Sequence, residues 1–272
     1  MSVQSRHQKK RLGLVLSGGA AFGLAHIGAL QVLEEAGVRV DAVGGASVGA
    51  LIGAALAAGK SVREITQVAY RVNWLHLARP WLSRYGFVSF RKLEWLLNQW
   101  LNHVTFDDLK LPFICVGTDV LTGEPRVFSE GNVARAVRIS ASVPPVVIPV
   151  QRDSRYYVDG GFSNNLPIGP VKEMGVDVTL AVNLFGQASQ MPKNYITYAQ
   201  LILGHMLTRT AGDPQRATVL VTPNLANHLA ARFKRSYVDY GREAMQEKLP
   251  DLLRALELDS TAKQGIITDE RR

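Results

Sequence analysis

A serine between two glycines is the first place where this sequence could carry out chemistry. Gly45-Ala46-Ser47-Val48-Gly49 follows a short apolar run and precedes a run of small residues. A turn from strand to helix that projects a serine hydroxyl is strained, and flanking glycines remove the Cβ clashes. The first amides of the following helix would face a developing oxyanion. The pattern makes Ser47 a candidate nucleophile, although a tight turn between closely packed elements would give the same residues.

A second glycine-rich segment, Ser17–Gly23, also lies between a predicted strand and a predicted helix. Its small residues let consecutive backbone amides line a cavity and bind an anion. The alternative is a dinucleotide-binding turn, with Asp41 as the acidic residue 18 positions after Gly23, at the end of the second predicted strand. Ala20 argues against it, because the middle glycine of that fingerprint lets the backbone approach a pyrophosphate. We therefore favour an oxyanion hole.

An aspartate followed by two glycines, Asp159-Gly160-Gly161, comes after the predicted strand Tyr156–Val158. A carboxylate at a strand end can accept the proton of a serine, whereas the same residues are also common in turns. His205 and His228 follow Asp159 in the chain, which is the order of hydrolases with a Ser–Asp–His triad. A triad that includes one of them is the competing mechanism.

Taken together, these motifs resemble the patatin-like phospholipase family, and they occur in the order in which that family has them. The resemblance covers about residues 12–185. It is carried by Ser17–Gly23 with Ala25-His26-Ile27-Gly28 behind it, Gly45–Gly49, Thr118-Asp119 with Thr122-Gly123, Ser140-Ala141-Ser142 with Pro144-Pro145, and Asp159-Gly160-Gly161.

The resemblance implies a three-layer α/β/α fold with a mainly parallel central sheet. It implies a Ser–Asp dyad of Ser47 and Asp159, with the amides of Gly18, Gly19 and Ala20 as the oxyanion hole. The implied reaction is hydrolysis of a carboxylic ester of a lipid, with no metal or organic cofactor. An aspartate of ordinary pKa, near 3.9, is a weak base, which suits an ester better than a peptide because an alkoxide leaves more readily than an amine.

Two positions depart from the oxyanion loop of that family, which commonly reads G-G-G-x-[Arg/Lys]-G. Ala20 replaces the third glycine, and its amide can still donate a hydrogen bond if its φ is negative. Phe22 replaces the basic residue and removes a positive charge near the site, which bears on the choice of lipid head group. We expect Phe22 to contact substrate or membrane.

The order of predicted elements supports an α/β fold, since strand, glycine turn and helix occur twice in succession. No repeat or linker is visible, so we expect a single domain over 12–272 after a basic, flexible tail over 1–11. Strands are predicted at Arg11–Leu16, Val38–Val43, Phe113–Val116, Val127-Phe128, Tyr156–Val158, Val178–Val182 and Val219–Val221. Helices are predicted at Leu24–Ala36, Ala50–Ala58, Val62–Val72, Phe90–Leu101, Val133–Ile139, Pro167–Met174, Ile196–Leu207 and Tyr237–Leu256, the last interrupted near Pro250.

The surplus of positive charge is concentrated in two stretches. The chain has 272 residues and a formal net charge of +8, with four basic residues and no acid in 1–11 and eight basic against four acidic residues in 60–110. All four tryptophans lie in the second stretch. Trp74 and Trp81 are candidates for a lid or loop that contacts an anionic membrane, whereas Trp95 and Trp100 fall at helical spacing typical of a core. No helix carries a long basic stripe, so nucleic acid is not expected.

The remaining composition excludes several classes of protein. A single cysteine, Cys115, rules out an internal disulfide and a cysteine-based metal cluster. The apolar run Leu12–Leu16 is too short for a signal peptide, and Ala42–Gly59 consists mostly of Gly and Ala. We therefore predict a cytoplasmic protein, peripheral to a membrane at most. The alternatives left open are a dinucleotide-binding enzyme and a catalytically silent lipid-binding relative.

Overall fold

The computed structural model describes residues 10–257, apart from 72–76, 78, 187–190, 193, 211–212, 226–227, 229, 231–232 and the side chains of 81 and 82. Trp74, the side chain of Trp81 and residues 1–9 of the predicted tail lie outside the described residues. The last two residues of that tail are bonded to the body of the protein. Lys10 Nζ donates to the carbonyl of Ala255 at 3.0 Å, and the backbone amide of Arg11 donates to Asp177 at 2.8 Å.

A mainly parallel sheet forms the centre of the molecule. In chain order the described strands are β1 (Leu12–Leu16), β2 (Ala42–Gly45), β3 (Arg79–Ser83), β4 (Gly86–Ser89), β5 (Phe113–Asp119), β6 (Pro125–Phe128), β7 (Val150–Arg152), β8 (Arg155–Asp159), β9 (Val178–Val182) and β10 (Val219–Val221). The central sheet has the order β10-β9-β1-β2-β5-β8-β7, with β6 paired to β5. Strands β10, β9, β1, β2 and β5 are parallel, and β6, β7 and β8 extend the sheet in antiparallel pairs.

Helices cover both faces of this sheet. They are α1 (Leu24–Glu35), α2 (Val48–Ala57), α3 (Val62–Arg71), α4 (Arg91–Leu101), α5 (Val133–Ser140), α6 (Gly161–Asn164), α7 (Ile168–Lys172), α8 (Tyr195–Thr210) and α9 (Ser236–Ala255). Successive residues of a strand point to opposite faces. Leu14 and Leu16 accordingly belong to the larger core, whereas Val15 packs with Ile168 and Val171 of α7 on the other face. The three-layer α/β/α architecture with a mainly parallel sheet confirms the predicted fold class.

The segment predicted as an irregular lid or loop is partly a β-hairpin. Strands β3 and β4 pair in antiparallel fashion, with Arg79 opposite Ser89. The amides of Phe87 and Val88 both donate to the carbonyl of Val146, at 3.0 and 3.1 Å. The sequence of this segment has no clean period. Its contact with Val146 lies about 60 residues further along the chain, where sequence spacing cannot show it.

The predicted interruption of the last helix is wrong. Helix α9 continues through Pro250 to Ala255. A proline inside a helix removes one amide donor, and the carbonyl that loses its partner belongs to the residue four positions earlier. Both Pro250 and that residue, Gln246, are exposed, so water can replace the missing donor.

Candidate active site

Ser47 occupies a strained turn between β2 and α2. Its φ of 52° and ψ of −122° lie outside the regions that residues with a side chain normally adopt. The two flanking glycines are required by close backbone contacts. A Cβ on Gly45 would lie 2.5 Å from the carbonyl carbon of Gly49, and a Cβ on Gly49 would lie 2.2 Å from the carbonyl oxygen of Leu16. The backbone at Ser47 therefore has the geometry of a nucleophile elbow.

Asp159 ends β8 and is only 3% exposed. Its Oδ1 accepts the amide of Gly161 at 2.7 Å, whereas Oδ2 is buried and has no partner of normal hydrogen-bond geometry among the described residues. Burial raises the pKa of Asp159 from 3.8 to about 7, and the nearby Ser47 hydroxyl and the bond from the Gly161 amide only partly oppose this rise. Ser47 therefore lies close enough to lower the pKa of Asp159, although its hydroxyl makes no hydrogen bond of normal geometry with Oδ2.

The end of α5 holds both residues in place. The amide of Ser47 donates to Ser140 Oγ at 3.0 Å, and the amide of Asp159 donates to the carbonyl of Ser142 at 2.9 Å. The carbonyl of Ser140 also accepts the amide of Gly160 at 3.4 Å. The sequence marks Ser140–Ser142 only as part of a resemblance, because the partners of these serines lie about 90 residues before them and about 20 after. The structure assigns them a positioning role.

The paired residues at the end of β5 support the same region. Thr118 Oγ1 donates to the carbonyl of Asp159 at 2.8 Å. The carboxylate of Asp119 accepts hydrogen bonds from Arg155 and from the amide of Leu121, each at 2.9 Å. The bond from Arg155 is the main reason why the pKa of Asp119 is lowered. Asp119 thus orders the turn that follows β5, whereas Asp159 is the carboxylate whose ionisation is opposed by burial.

The glycine-rich loop offers two amides where three were predicted. Gly18, predicted as an oxyanion-hole residue, donates its amide to Asn165 Oδ1 at 3.1 Å. Among the described residues, the amides of Gly19 and Ala20 have no acceptor. The negative φ expected for Ala20 is wrong, since its φ is 49°, but its amide has no acceptor among the described residues and so is still able to donate a hydrogen bond. Ala20 therefore adopts the left-handed conformation that a glycine would adopt without strain.

Asn165 joins the glycine-rich loop to the turn after Asp159. A Cβ on Gly18 would lie 2.7 Å from Asn165 Oδ1, and a Cβ on Gly161 would lie 3.0 Å from the same atom. The same Cβ on Gly18 would lie 3.0 Å from Ser47 Cβ. The loop, the nucleophile turn and the aspartate turn are thus in direct contact. Asn165 is missing from the predicted site, and its position shortly after Asp159-Gly160-Gly161 is the one signal that the sequence offers.

His26 anchors the first residue of the loop. Its Nε2 lies 2.8 Å from the carbonyl of Ser17, and Ser17 Oγ accepts the amide of Leu184 at 2.9 Å. Burial lowers the pKa of His26 to about 4, so the ring is neutral and Nε2 is the atom that donates. His26 is therefore a structural residue of the loop.

The histidines of the competing triad make no hydrogen bond with Asp159. His228 packs against the rings of Tyr237 and Tyr240, with centroids 5.5 and 4.9 Å away, and His205 is exposed on α8. The described residues therefore provide no third member for a triad with Asp159.

Two further expectations do not fit the structure. Phe22 is 2% exposed, and its ring meets the ring of Tyr237 edge-on at 5.4 Å, so it belongs to the core rather than to a membrane or substrate contact. Asp41 precedes β2 instead of ending it, and its carboxylate accepts the amide of Leu12 at 2.7 Å. It therefore lies at the opposite edge of the sheet from the glycine-rich loop, which contradicts the dinucleotide-binding interpretation.

An apolar cavity of about 300 Å³ opens beside the nucleophile turn. Helices α1, α2, α3 and α4 line it, and none of the described residues in its wall is charged. Val48 and Leu51 connect it to the turn of Ser47, and Trp100 lies on the α4 side. Trp95, predicted with Trp100 as core, is instead 58% exposed on the outer side of α4. The described wall of the cavity is therefore apolar.

This chain has a mixed α/β fold with a serine at a strained turn from strand to helix. These two features are typical of α/β proteins that have a nucleophile elbow. Within that class, the model of the patatin-like phospholipase family matches residues 14–172, more than half of the chain. The chain belongs to the patatin-like phospholipase family.

Several curated proteins are similar over most of this chain. An uncharacterised NTE family protein of Mycobacterium tuberculosis is 33% identical over 182 residues, which cover 65% of this chain and 49% of that protein. The neuropathy target esterase sws of Drosophila melanogaster is 32% identical, covering 80% of this chain and 16% of its own length. The human patatin-like phospholipase domain-containing protein 6 is 34% identical, covering 79% of this chain and 16% of its own length. The chain thus spans half or less of the length of these relatives.

Solved structures support the fold. VipD of Legionella pneumophila superposes with a TM-score of 0.64 at 14% identity, covering 92% of this chain and 72% of that one. The type III effector ExoU of Pseudomonas aeruginosa gives 0.51 at 21% identity, covering 91% and 54%. At these identities the likeness concerns architecture alone. Within the described part of the chain, no helix combines the length and apolar character needed to span a membrane.

Proposed function

We propose that this chain is a serine acyl hydrolase that cleaves a carboxylic ester of a lipid through Ser47 and Asp159. The observation that carries the proposal is the position of Ser47, at a strained turn between a buried carboxylate of raised pKa and a cavity whose described wall is apolar. Membership of a phospholipase family and the names of the esterase and phospholipase relatives support the same reaction class.

In the first half-reaction, the Ser47 oxygen attacks the ester carbonyl carbon while its proton passes to Asp159 Oδ2. The carbonyl oxygen becomes an oxyanion that accepts hydrogen bonds from the amides of Gly19 and Ala20. Collapse of the tetrahedral intermediate breaks the bond to the alcohol oxygen, which leaves with the proton from Asp159. Ser47 then carries the acyl group as an ester.

In the second half-reaction, water attacks the acyl carbon and gives a proton to Asp159. The second tetrahedral intermediate collapses, the Ser47 oxygen recovers that proton, and the fatty acid leaves. A pKa of about 7 makes Asp159 a stronger base than an ordinary aspartate near neutral pH. The raised pKa thus supports Asp159 as the base, a role for which an aspartate of ordinary pKa would be weak.

The acyl chain would lie in the cavity beside Val48 and Leu51. Burying each methylene contributes about 0.8 kcal/mol, equivalent to about fourfold in kcat/KM. Consequently, we expect kcat/KM to rise with acyl length until the cavity is full. Ala69, on the α3 side of the wall, is a suitable position to test this, because a phenylalanine there would occupy part of the cavity.

Hydrolysis of a series of p-nitrophenyl esters of increasing chain length, alongside a peptide substrate, tests the proposal. We expect ester cleavage without peptide cleavage, and loss of the preference for longer chains in Ala69→Phe with the acetyl ester unaffected. If the protein binds these esters but does not cleave them, the result would instead favour a catalytically silent lipid-binding protein.

A further inference from the structure

Helix α8 is the least buried apolar element of the described structure. Of its sixteen residues only Gly204 is buried. Tyr195, Ile196 and Met206 are exposed by 82%, 64% and 57%. Six large exposed side chains form what we call the α8 outer face: Tyr195, Ile196, Tyr198, Ile202, Leu203 and Met206. A contiguous patch of exposed apolar side chains usually marks a binding surface, so this face is expected to have a partner.

The opposite side of α8 is fixed to the body of the protein. Gly204 lies against Phe185, whose Cδ1 would be 2.9 Å from a Cβ at Gly204. The side chain of Gln200 holds the loop before α9. It donates to the carbonyl of His228 and accepts the amide of Ala230, both at 2.7 Å. These contacts leave the α8 outer face turned away from the core.

The same helix adjoins the proposed active site. Thr210 Oγ1 donates to the carbonyl of Gly161 at 2.6 Å, two residues after Asp159. Leu207 Cδ2 would lie 3.3 Å from a Cβ at Gly161. A surface bound to the outer face would therefore lie next to the turn that carries the proposed catalytic base.

The charge of this region favours a lipid surface over an acidic or basic protein partner. The thirty residues 183–212 contain no aspartate or glutamate, and their charged residues are Lys193 and Arg209. Two tyrosines, Tyr195 and Tyr198, lie at one end of the helix. Interfacial helices combine aliphatic side chains with aromatic residues at the level of the head groups, and basic residues are attracted to anionic lipid.

We propose that the α8 outer face inserts into the boundary between head groups and acyl chains of a membrane that contains anionic lipid. It would bring the turn of Asp159 to the surface from which a lipid ester enters. The inference rests on the proposed function for the identity of the incoming substrate, whereas membrane binding itself does not depend on catalysis. It is separate from the contact that the sequence predicts at Trp74 and Trp81, whose side chains lie outside the described residues.

Binding to vesicles of phosphatidylcholine mixed with phosphatidylserine tests this proposal. The test variant is the double substitution Ile202→Gln and Met206→Gln, because both side chains are exposed and glutamine preserves helix propensity. The matched control is Trp95→Gln, an exposed apolar residue on α4 within the tryptophan-rich segment. We expect vesicle partitioning to fall at least about tenfold in the double variant and to stay within about twofold in the control.

Two further measurements separate this proposal from its rivals. Circular dichroism and hydrolysis of soluble p-nitrophenyl butyrate show whether the double variant still folds, and the vesicle assay remains valid if neither protein hydrolyses the ester. Unchanged partitioning of the folded double variant, or loss of partitioning in Trp95→Gln instead, would overturn the proposal. So would a wild-type dimer without vesicle binding that becomes a monomer in the double variant, since a second copy would then cover the face.

Discussion

The backbone amide of Ser47 donates a 3.0 Å hydrogen bond to the hydroxyl oxygen of Ser140. This bond ties the strained nucleophile turn to the end of α5, and the same end of α5 holds the amide of Asp159 through the carbonyl of Ser142. The two residues of the proposed dyad come from strands about 110 positions apart, yet one helix terminus sets their separation. The geometry of the site is therefore a property of α5 as much as of the two turns.

Substituting Ser140→Ala should impair both stability and turnover. It leaves the Ser47 amide without its acceptor, at a cost of about 1–3 kcal/mol in the free energy of unfolding. We expect kcat for a p-nitrophenyl ester to fall at least about tenfold, because the nucleophile loses its fixed orientation. Ser129→Ala, at an exposed serine, serves as the control. Unchanged kcat in Ser140→Ala would show that the turn is held without this bond.

The pH dependence of kcat/KM reports the ionisation of Asp159. The carboxylate accepts the serine proton only when it is deprotonated, and burial raises its pKa to about 7. We therefore expect kcat/KM to rise tenfold per pH unit below about pH 7 and to level off above it. A profile that is already level at about pH 5 would mean that Asp159 ionises like an exposed aspartate and would contradict its assigned environment.

Asp159→Asn should remove activity while stabilising the fold at alkaline pH. Between about pH 4 and 7 the native state retains a proton that the unfolded chain has lost, so stability falls as the pH rises through this interval. The variant has no charge to bury. Thermal unfolding should give it a higher Tm than wild type at about pH 9, with a smaller difference at about pH 5.

Asp119→Asn is the matched control for this measurement, because the pKa of Asp119 is lowered rather than raised, mainly by its bond with Arg155. The stability that it contributes is present above its unfolded pKa and is lost as the pH falls, so its removal should lower the Tm at alkaline pH. An equal decrease in both variants would contradict the predicted desolvation of Asp159.

Ala20→Gly tests the departure from the family's glycine-rich loop. At a φ of 49° the alanine carries a strain of about 1–2 kcal/mol that glycine would not. The gain is offset by about 0.5–1 kcal/mol of additional backbone entropy in the unfolded chain. We expect a small increase in the free energy of unfolding and full retention of kcat/KM. Ala20→Val, with a β-branched side chain at the same φ, should lower both, and equal behaviour of the two variants would refute this account of the loop.

The local patterns of the chain were sufficient to predict the turns of the site. The flanking glycines indicate the elbow at Ser47 because the backbone contacts that exclude a Cβ lie within a few residues of the turn or at the end of the neighbouring strand. The short, almost continuous apolar runs of β1 and β9 likewise predict buried strands, and the bounds of β9 agree residue for residue. The resemblance to a single family, whose motifs occur in the same order along the chain, indicates which residues of these turns form the site.

Features that depend on distant partners were not predictable in this way. Phe22 is covered by Phe185 and Tyr237, more than 160 and 210 residues away, so its apolar character alone could not distinguish core from surface. The outer face of α8 is the opposite case. Its apolar residues fall at helical spacing, which normally indicates burial, yet they are exposed. The sequence could not show that the Gly18 amide is already bonded, because its acceptor, Asn165, lies about 150 residues further along the chain.

The most direct test of the Ser47–Asp159 mechanism is covalent labelling with a fluorophosphonate, followed by mass spectrometry of the labelled peptide. Wild-type protein should gain one phosphonyl group on Ser47, and labelling should be abolished in Ser47→Ala, slowed at least about a hundredfold in Asp159→Asn and unchanged in Ser129→Ala. A folded wild-type protein that is not labelled, or is labelled on another serine while Ser47→Ala retains ester hydrolysis, would contradict the proposed mechanism.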